Sequence, residues 1–263
     1  MMSTTTHATA LPAGHRRSRP FARLMVTELK LLMREPLAVF WGTVFPLVLL
    51  IVIGLATHNH HQKSLGGLTF IDVYVPVLCT FVLAILALNA VPATLASYRD
   101  KGYLRRLSTT PMGARRLLAA QLLINLGIAA CAVLVILVVG AAAFGVSLPT
   151  EVGGFLIALA LGAIAMLALG TLVGALAPNQ RAANLIGSLL FFPMMFFAGL
   201  WVPRAQMGAV LRHISDYTPL GATVAGVQRA TAGNWPHPVA LLVLLVWAVV
   251  LCLAASKFFR WDR

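Results

Sequence analysis

The chain has 263 residues, of which 60% are hydrophobic and only 10% are charged. Soluble domains carry about a quarter charged residues, so this composition excludes an ordinary soluble globular protein. A net charge of +13 would indicate a nucleic-acid partner in a soluble protein, but here the basic residues flank long apolar runs, and we expect no nucleic-acid partner.

The first 36 residues differ from the rest of the chain. Residues 1–20 are rich in Thr, Ala, His and Arg and predict a disordered cytoplasmic tail. Residues 21–36 carry one narrow polar stripe at helical spacing, formed by Arg23, Thr27, Lys30 and Arg34. This stripe, bordered by apolar side chains, predicts an amphipathic interfacial helix in the lipid headgroup plane, and Pro36 ends it.

Six long apolar runs follow. They are Leu37–Thr57, Val73–Ala96, Leu117–Ala143, Gly153–Leu176, Asn184–Val202 and Pro238–Phe258. A helix needs about 20 residues to cross a hydrocarbon core, and in lipid each backbone polar group must be paired within the protein. We therefore predict an all-α polytopic membrane protein, with six transmembrane helices over residues 37–258 and a cytoplasmic tail at 259–263.

The basic residues are unevenly divided between the two sides of this arrangement. Sixteen of the twenty lie in the N-terminal segment, the loop between spans two and three, the loop between spans four and five, and the C-terminal tail. The remaining four are Lys63, Arg204, Arg212 and Arg229. The positive-inside rule places both termini in the cytoplasm, as an even number of spans requires. Anionic membrane lipids are expected partners of the basic side.

Two segments between spans stand out. The outer segment 203–237 contains several prolines and two stretches that fit short helices, Met207–Ile214 and Leu220–Thr231, and we predict a re-entrant helical hairpin before the last span. The inner loop 97–116 is the longest charged connection, and Leu104 and Leu107 share one face of a short helix that Pro111 would end. Such a helix either docks a soluble partner or only anchors the topology, and the residues alone leave both readings open.

The sequence lacks the motifs that several kinds of chemistry require. The chain has no GxxxxGK[ST] phosphate loop, no GxSxG nucleophile elbow and no HExxH zinc pair, so we expect neither ATP hydrolysis nor another enzymatic activity, and no bound cofactor. Its seven acidic residues form no carboxylate pair within a span, which argues against a self-contained proton antiporter. The histidines at 58, 60 and 61 are read as solvated, and no metal site is predicted.

Polar and soft side chains within the spans are candidates for a substrate path. The polar candidates are Asn89, Gln121 and Asn125. Polar groups in lipid usually face a bundle interior, although hydrogen bonds between helices explain them equally well. The soft candidates flank Pro193 and are Phe192, Met194 and Met195. Adaptable side chains of this kind suit apolar ligands, and packing against lipid or a second copy is the alternative.

Four segments together resemble a known family. They are YRDKGYLRRLSTTP from Tyr98 to Pro111, LKLLMREPLAVFWGTVFPLVLLIV entering the first span, IDVYVPVL opening the second, and the proline-rich stretch from the end of span five to Tyr217–Leu220. In order and spacing they resemble the type-2 ABC exporter permeases, and in particular the daunorubicin-type drug-resistance exporters. The resemblance extends over residues 21–260.

The resemblance implies a coupling helix in the inner loop that contacts a separate ATPase. The residues it assigns to coupling are Asp100, Lys101, Gly102, Leu104, Arg105, Arg106, Leu107, Thr110 and Pro111. It further implies two cytosolic ATPase copies that use ATP and Mg, a second permease copy or a paralogue, and export of a hydrophobic or amphipathic compound across a bacterial inner membrane. A membrane scaffold that recruits a cytosolic partner and a self-contained secondary carrier are the alternatives.

Overall fold

A computed structural model of the chain describes Met25 and residues 40–57, 69–102 and 113–258, with side chains from residue 116 onward in the last range. Apart from Met25, the predicted interfacial helix at 21–36 lies outside the described residues, as do the tails at 1–20 and 259–263. Of the predicted coupling helix, only residues up to Gly102 are described.

The described part of the chain is helical. Six helices are long and apolar enough to cross a membrane: α1 Phe40–Thr57, α2 Phe70–Asp100, α3 Gly113–Phe144, α4 Val152–Leu176, α5 Gln180–Ala198 and α8 Pro238–Phe258. Between α5 and α8 lie a short 3-10 turn and two shorter helices, α6 Ala209–Tyr217 and α7 Pro219–Thr231. This confirms the predicted all-α fold with six candidate spans and a pair of short helices before the last.

Local signals shift the ends of two spans from their predicted positions. Helix α2 begins at Phe70 rather than Val73, because the Asp72 carboxylate accepts a hydrogen bond from the Thr69 N–H and so caps the first turn. Helix α5 ends at Ala198 rather than Val202, because Gly199 takes the left-handed conformation (φ +94°) and the Leu200 N–H turns back to the Met195 carbonyl.

Helix α2 is the centre of the bundle. It is buried along most of its length, whereas only a minority of the residues of α1, α3, α5 and α8 are buried. One face of α2 packs with α1 and α3 around Leu50, Leu78 and Ile136. Another packs with α4, α5 and α7 around Met166 and Met195. Apolar side chains that remain exposed on the outer helices are suited to lipid or to a second membrane protein.

The pair α6–α7 reaches into the bundle. The Trp247 Nε1–H, near the middle of α8, donates to the Tyr217 carbonyl at 2.8 Å, where α6 ends. Thr223 of α7 lies against Gly162, near the middle of α4, where any side chain would clash with it. Most of α7 is buried, and these two contacts place the junction of the pair about halfway along α4 and α8 rather than at the bundle surface.

Candidate functional site

The end of α2 that leads into the predicted coupling loop is fixed to the end of α4. The Arg99 guanidinium donates from Nη1 to the Ala175 carbonyl at 3.2 Å and from Nη2 to the Ala177 carbonyl. The last carbonyls of a helix have no partner within it, and a cation is favoured there by the helix dipole. Arg99 therefore caps the C-terminus of α4 from a different helix.

The next residue binds the start of α5. One carboxylate oxygen of Asp100 accepts the Gln180 N–H at 2.9 Å, while the Asn179 side chain accepts the Ala182 N–H at 2.8 Å. An anion is favoured at a helix N-terminus, where the first N–H groups lack partners. Consecutive residues of α2 thus cap both ends of the turn between α4 and α5. We call Arg99, Asp100 and the carbonyls and N–H they bind the inner clamp.

Of the remaining predicted coupling residues, the structure describes only Lys101 and Gly102. Lys101 is exposed, and Gly102 has φ +65°, the left-handed region that favours glycine, as its N–H bonds the Arg99 carbonyl at 2.9 Å. The other predicted residues lie outside the described part of the chain and stay predictions: Leu104, Arg105, Arg106, Leu107, Thr110 and Pro111. Asp100, by contrast, already uses its carboxylate within the chain, so Lys101 is the more available of the two for a partner.

Farther along α2, its backbone comes close to α4 and α5. Residues Leu86–Ala90 form a π-helical segment, and Gly170 of α4 and Gly187 of α5 face its carbonyls. A Cβ atom at either glycine would approach the carbonyl oxygen of Ala87 or Leu88 closer than 3.0 Å, a separation that real Cβ atoms essentially never show. Only glycine therefore permits this close approach of three helices.

The polar residues predicted to line a substrate path lie at two separate places. Asn89, in the π-helical segment, is half-buried, and its Oδ1 accepts the Ser188 hydroxyl of α5 at 3.5 Å. Gln121 and Asn125 are buried one turn apart on α3, and Asn125 Nδ2 donates to the Gln121 carbonyl at 2.8 Å. Asn125 Oδ1 is buried without a hydrogen-bond partner among the described residues.

The soft residues of α5 also differ in exposure. Met195 is fully buried in the core, Met194 is half-buried and Phe192 is exposed. Only Phe192 thus presents its side chain outward, and the six candidates do not converge on one described site.

Aromatic rings of α1, α2 and α5 form a continuous row of contacts. Trp41 and Phe45 of α1, Phe81 of α2, and Phe191 and Phe192 of α5 form a row with neighbouring ring centroids 4.8–5.8 Å apart. Phe81 and Phe191 are buried, whereas Trp41 and Phe192 at the two ends are exposed. Of these five residues, only Phe192 was predicted from the sequence as a path residue. The four-residue spacing of Trp41 and Phe45 was an available signal, but their meeting with Phe81 depends on tertiary packing.

Beyond the C-terminus of α5, Arg204 holds the junction of the α6–α7 pair. Its buried guanidinium pairs with the Asp216 carboxylate and donates to the Gly221 carbonyl. Burial lowers the pKa of Arg204, and the hydrogen bond and charge of Asp216 oppose this shift. Nearby, the Ser215 hydroxyl donates to the Phe197 carbonyl at 2.6 Å. From the sequence, Arg204 was interpreted only as a topological charge, and its contact with Asp216 was not predicted.

Metal binding finds no support in the described residues, which contain no group of three His, Cys, Asp or Glu side chains that could hold an ion. The histidines at 58, 60 and 61 lie outside those residues.

Comparison with known proteins gives two matches. Residues 20–231 match the family described as ABC-2 type transporter. The chain is also 22% identical over 236 residues to the putative transport permease YvfS of Bacillus subtilis (strain 168), covering 89% of this chain and 94% of that protein. The membrane domain of this family lacks ATPase activity, and no cofactor is expected in it. The chain belongs to the ABC-2 type transporters, as a multi-pass transmembrane permease.

Proposed function

We propose that the chain is the permease subunit of an ATP-driven exporter that moves a hydrophobic or amphipathic compound, such as a drug, an antibiotic or a lipid, out of a bacterial cell. The observation that supports this most directly is the inner clamp. It fixes the end of α2, after which the loop continues, to two further helices, so a force applied to that end would reach all three.

The distribution of exposed basic side chains supports one orientation of the bundle in the membrane. The end of the bundle that carries the inner clamp also carries Lys101, Arg116, Arg181 and Lys257, all exposed. The positive-inside rule assigns such an end to the cytoplasm, and both termini with it. An ATPase that uses cytosolic ATP and Mg would therefore meet the loop 97–116. Two ATPase copies would serve two permeases, either two copies of this chain or this chain and a paralogue.

The aromatic row supports the class of substrate. It runs from α1 across α2 to α5, and its exposed ends are apolar and polarizable, which suits the face of a flat apolar molecule. Asn89, on the π-helical segment of α2, supplies a polar group that would orient an amphipathic compound. Movement of α1 against α5 would change the exposure of this row, as alternating access requires.

The test replaces the two apolar residues of the predicted coupling helix with aspartate, Leu104→Asp and Leu107→Asp. We expect the ATPase to stop co-purifying with the chain and ATP turnover in the complex to fall to that of the ATPase alone. Leu148→Asp, an exposed leucine between α3 and α4 at the opposite end, is the matched control and should change neither. Co-purification and turnover that stay at the wild-type level in the double variant would overturn the coupling assignment.

Two other functions give different results. A scaffold would bind a cytosolic partner but move no compound when ATP is added, and a secondary carrier would move one in response to an ion gradient without any ATPase. Uptake into vesicles that contain this chain, with and without the ATPase, separates the three.

A further inference from the structure

We propose that Arg99 and Asp100 are positioning residues that transmit motion of the coupling loop to α4 and α5, so that α2, α4 and α5 move as one body. This rests on the proposed function, because it needs an ATPase that moves the loop. Nothing in the family match assigns a role to the turn between α4 and α5.

The inner clamp is suited to carry force because both of its contacts are charge-assisted and neither depends on a flexible partner. Arg99 and Asp100 bind backbone groups, Ala175 O, Ala177 O and Gln180 N–H, whose positions are fixed by α4 and α5. Charge-assisted hydrogen bonds are about twice as strong as neutral ones, and each here also complements a helix dipole; the half-buried Arg99 is less screened by solvent than the exposed Asp100, so its bonds are the stronger. A displacement of the end of α2 therefore displaces both helix ends.

Packing behind the clamp makes the three helices rigid. Ala96, Ala177 and Ala183 form a small buried cluster next to the clamp. Farther along, Gly174 lies against Leu95, and the π-helical segment lies against Gly170 and Gly187. Small residues at these levels bring the three helices into close contact, and the Leu95 side chain is confined against Gly174, so the packing favours movement of the three helices as one body.

Helix α1 has no part in the clamp. It contacts α2 through the aromatic pair Phe45–Phe81, with ring centroids 5.6 Å apart, and through apolar side chains such as Leu50. Such apolar contacts are individually weak and have no fixed direction, so α1 can move along α2 at a lower free-energy cost than α4 or α5, which charged hydrogen bonds hold to α2. Force at the loop would thus shift α5 relative to α1 and change the ring contacts of the aromatic row that joins them through α2.

The experiment measures the distance between α1 and α5 in the complex with its ATPase. Nitroxide labels are placed at Val52→Cys and Leu189→Cys, both exposed, in a background where the exposed Cys131 and Cys252 are replaced by alanine. Labelled chain is mixed with excess unlabelled chain, so that only distances within one chain are recorded. The distance is compared without nucleotide and after trapping with ATP and vanadate.

We expect trapping to shift the distance in the otherwise wild-type chain. Asp100→Ala and Arg99→Ala should each reduce the shift by roughly two-fold or more in complexes that still contain the bound ATPase. Asp100→Asn keeps a hydrogen-bond acceptor for the Gln180 N–H and should retain most of the shift. Asn179→Ala is the matched control, because it removes a cap from the same end of α5 without touching α2, and it should lower thermal stability but keep the full shift.

The remaining outcomes overturn the inference in distinguishable ways. An unchanged shift in Asp100→Ala and Arg99→Ala shows that α5 receives its motion elsewhere. An equal loss in Asn179→Ala shows that folding of the first turn of α5, rather than its link to α2, is what matters. No shift in the otherwise wild-type chain, while the bound ATPase hydrolyses ATP, overturns the proposed function together with the clamp.

Discussion

Replacing Gly170 or Gly187 with alanine is expected to force α2 away from α4 or α5. The new methyl group would overlap the carbonyl oxygen of Ala87 or Leu88, and backbone cannot rotate aside as a side chain can. The helices must therefore separate by on the order of 1 Å to restore an ordinary carbon–oxygen contact. Overpacking costs about 1–3 kcal/mol, and the backbone obstacle puts these sites at the upper end.

Alanine also has an intrinsic advantage over glycine in a helix of about 1 kcal/mol, which leaves a net loss of about 2 kcal/mol. For a chain of this size, each kcal/mol moves the melting temperature by about 2–4 °C, so each variant should melt about 4–8 °C lower in detergent. Thermal unfolding followed by tryptophan fluorescence measures this directly.

The matched control is Gly127→Ala in α3, where a Cβ meets nothing within 4 Å. It should leave the melting temperature unchanged or raise it slightly. If Gly170→Ala and Gly187→Ala melt within a degree or two of Gly127→Ala, the close approach at the π-helical segment is not what holds these helices together, and the rigid body that the inner clamp requires would lose its support.

Three further predictions use the same unfolding assay. Asp216→Ala should lower the free energy of unfolding by about 1–3 kcal/mol, because it leaves the buried Arg204 guanidinium without its carboxylate; this range already allows for the half-exposure of Asp216. Adding Arg204→Met should recover part of this loss, and a double variant less stable than Asp216→Ala would contradict the prediction. Asn125→Leu should raise the free energy of unfolding by about 1–3 kcal/mol because it removes the unpaired Oδ1, whereas Asn125→Ala should not, because it leaves a cavity. A fall in stability with leucine would contradict the assignment of Oδ1 as unpaired. Thr218→Ala should cost about 1 kcal/mol through loss of the cap on the Gly221 N–H at 3.1 Å, and Thr218→Ser should restore it; equal melting of the two would exclude that cap.

The six spans were predictable because run length in lipid leaves few alternatives. A run of about 20 apolar residues almost free of charge is long enough for a helix to cross the hydrocarbon core, and in lipid its backbone polar groups must be paired within the protein. The ends of the helices were less predictable, because each depends on a single residue rather than on the length of an apolar run. The Asp72 carboxylate caps the first turn of α2 at Thr69, and Gly199 turns the chain after α5.

The candidate site was only partly predictable, and the reason is separation along the sequence. Arg99 and Asp100 stand out as charged residues at the end of a span, but nothing in the sequence pairs them with residues near 175–180. Likewise, Phe45, Phe81 and Phe191 come from three helices and meet only after packing. A lone Arg204 in a proline-rich segment gives a topological signal, and its role with Asp216 follows from the reversal of the chain at α6.

Transport in reconstituted vesicles tests the central claim most directly, namely that this chain is the pathway of a transporter driven by a separate ATPase. Vesicles that hold the chain and its co-purifying ATPase, with the ATPase facing outward, are given ATP and a panel of fluorescent apolar and amphipathic compounds, beginning with daunorubicin. We predict accumulation of at least one compound that requires ATP, requires both proteins and is lost with Leu104→Asp and Leu107→Asp. Accumulation driven by an imposed ion gradient in vesicles without the ATPase, or ATP hydrolysis that moves no compound of the panel, would contradict it.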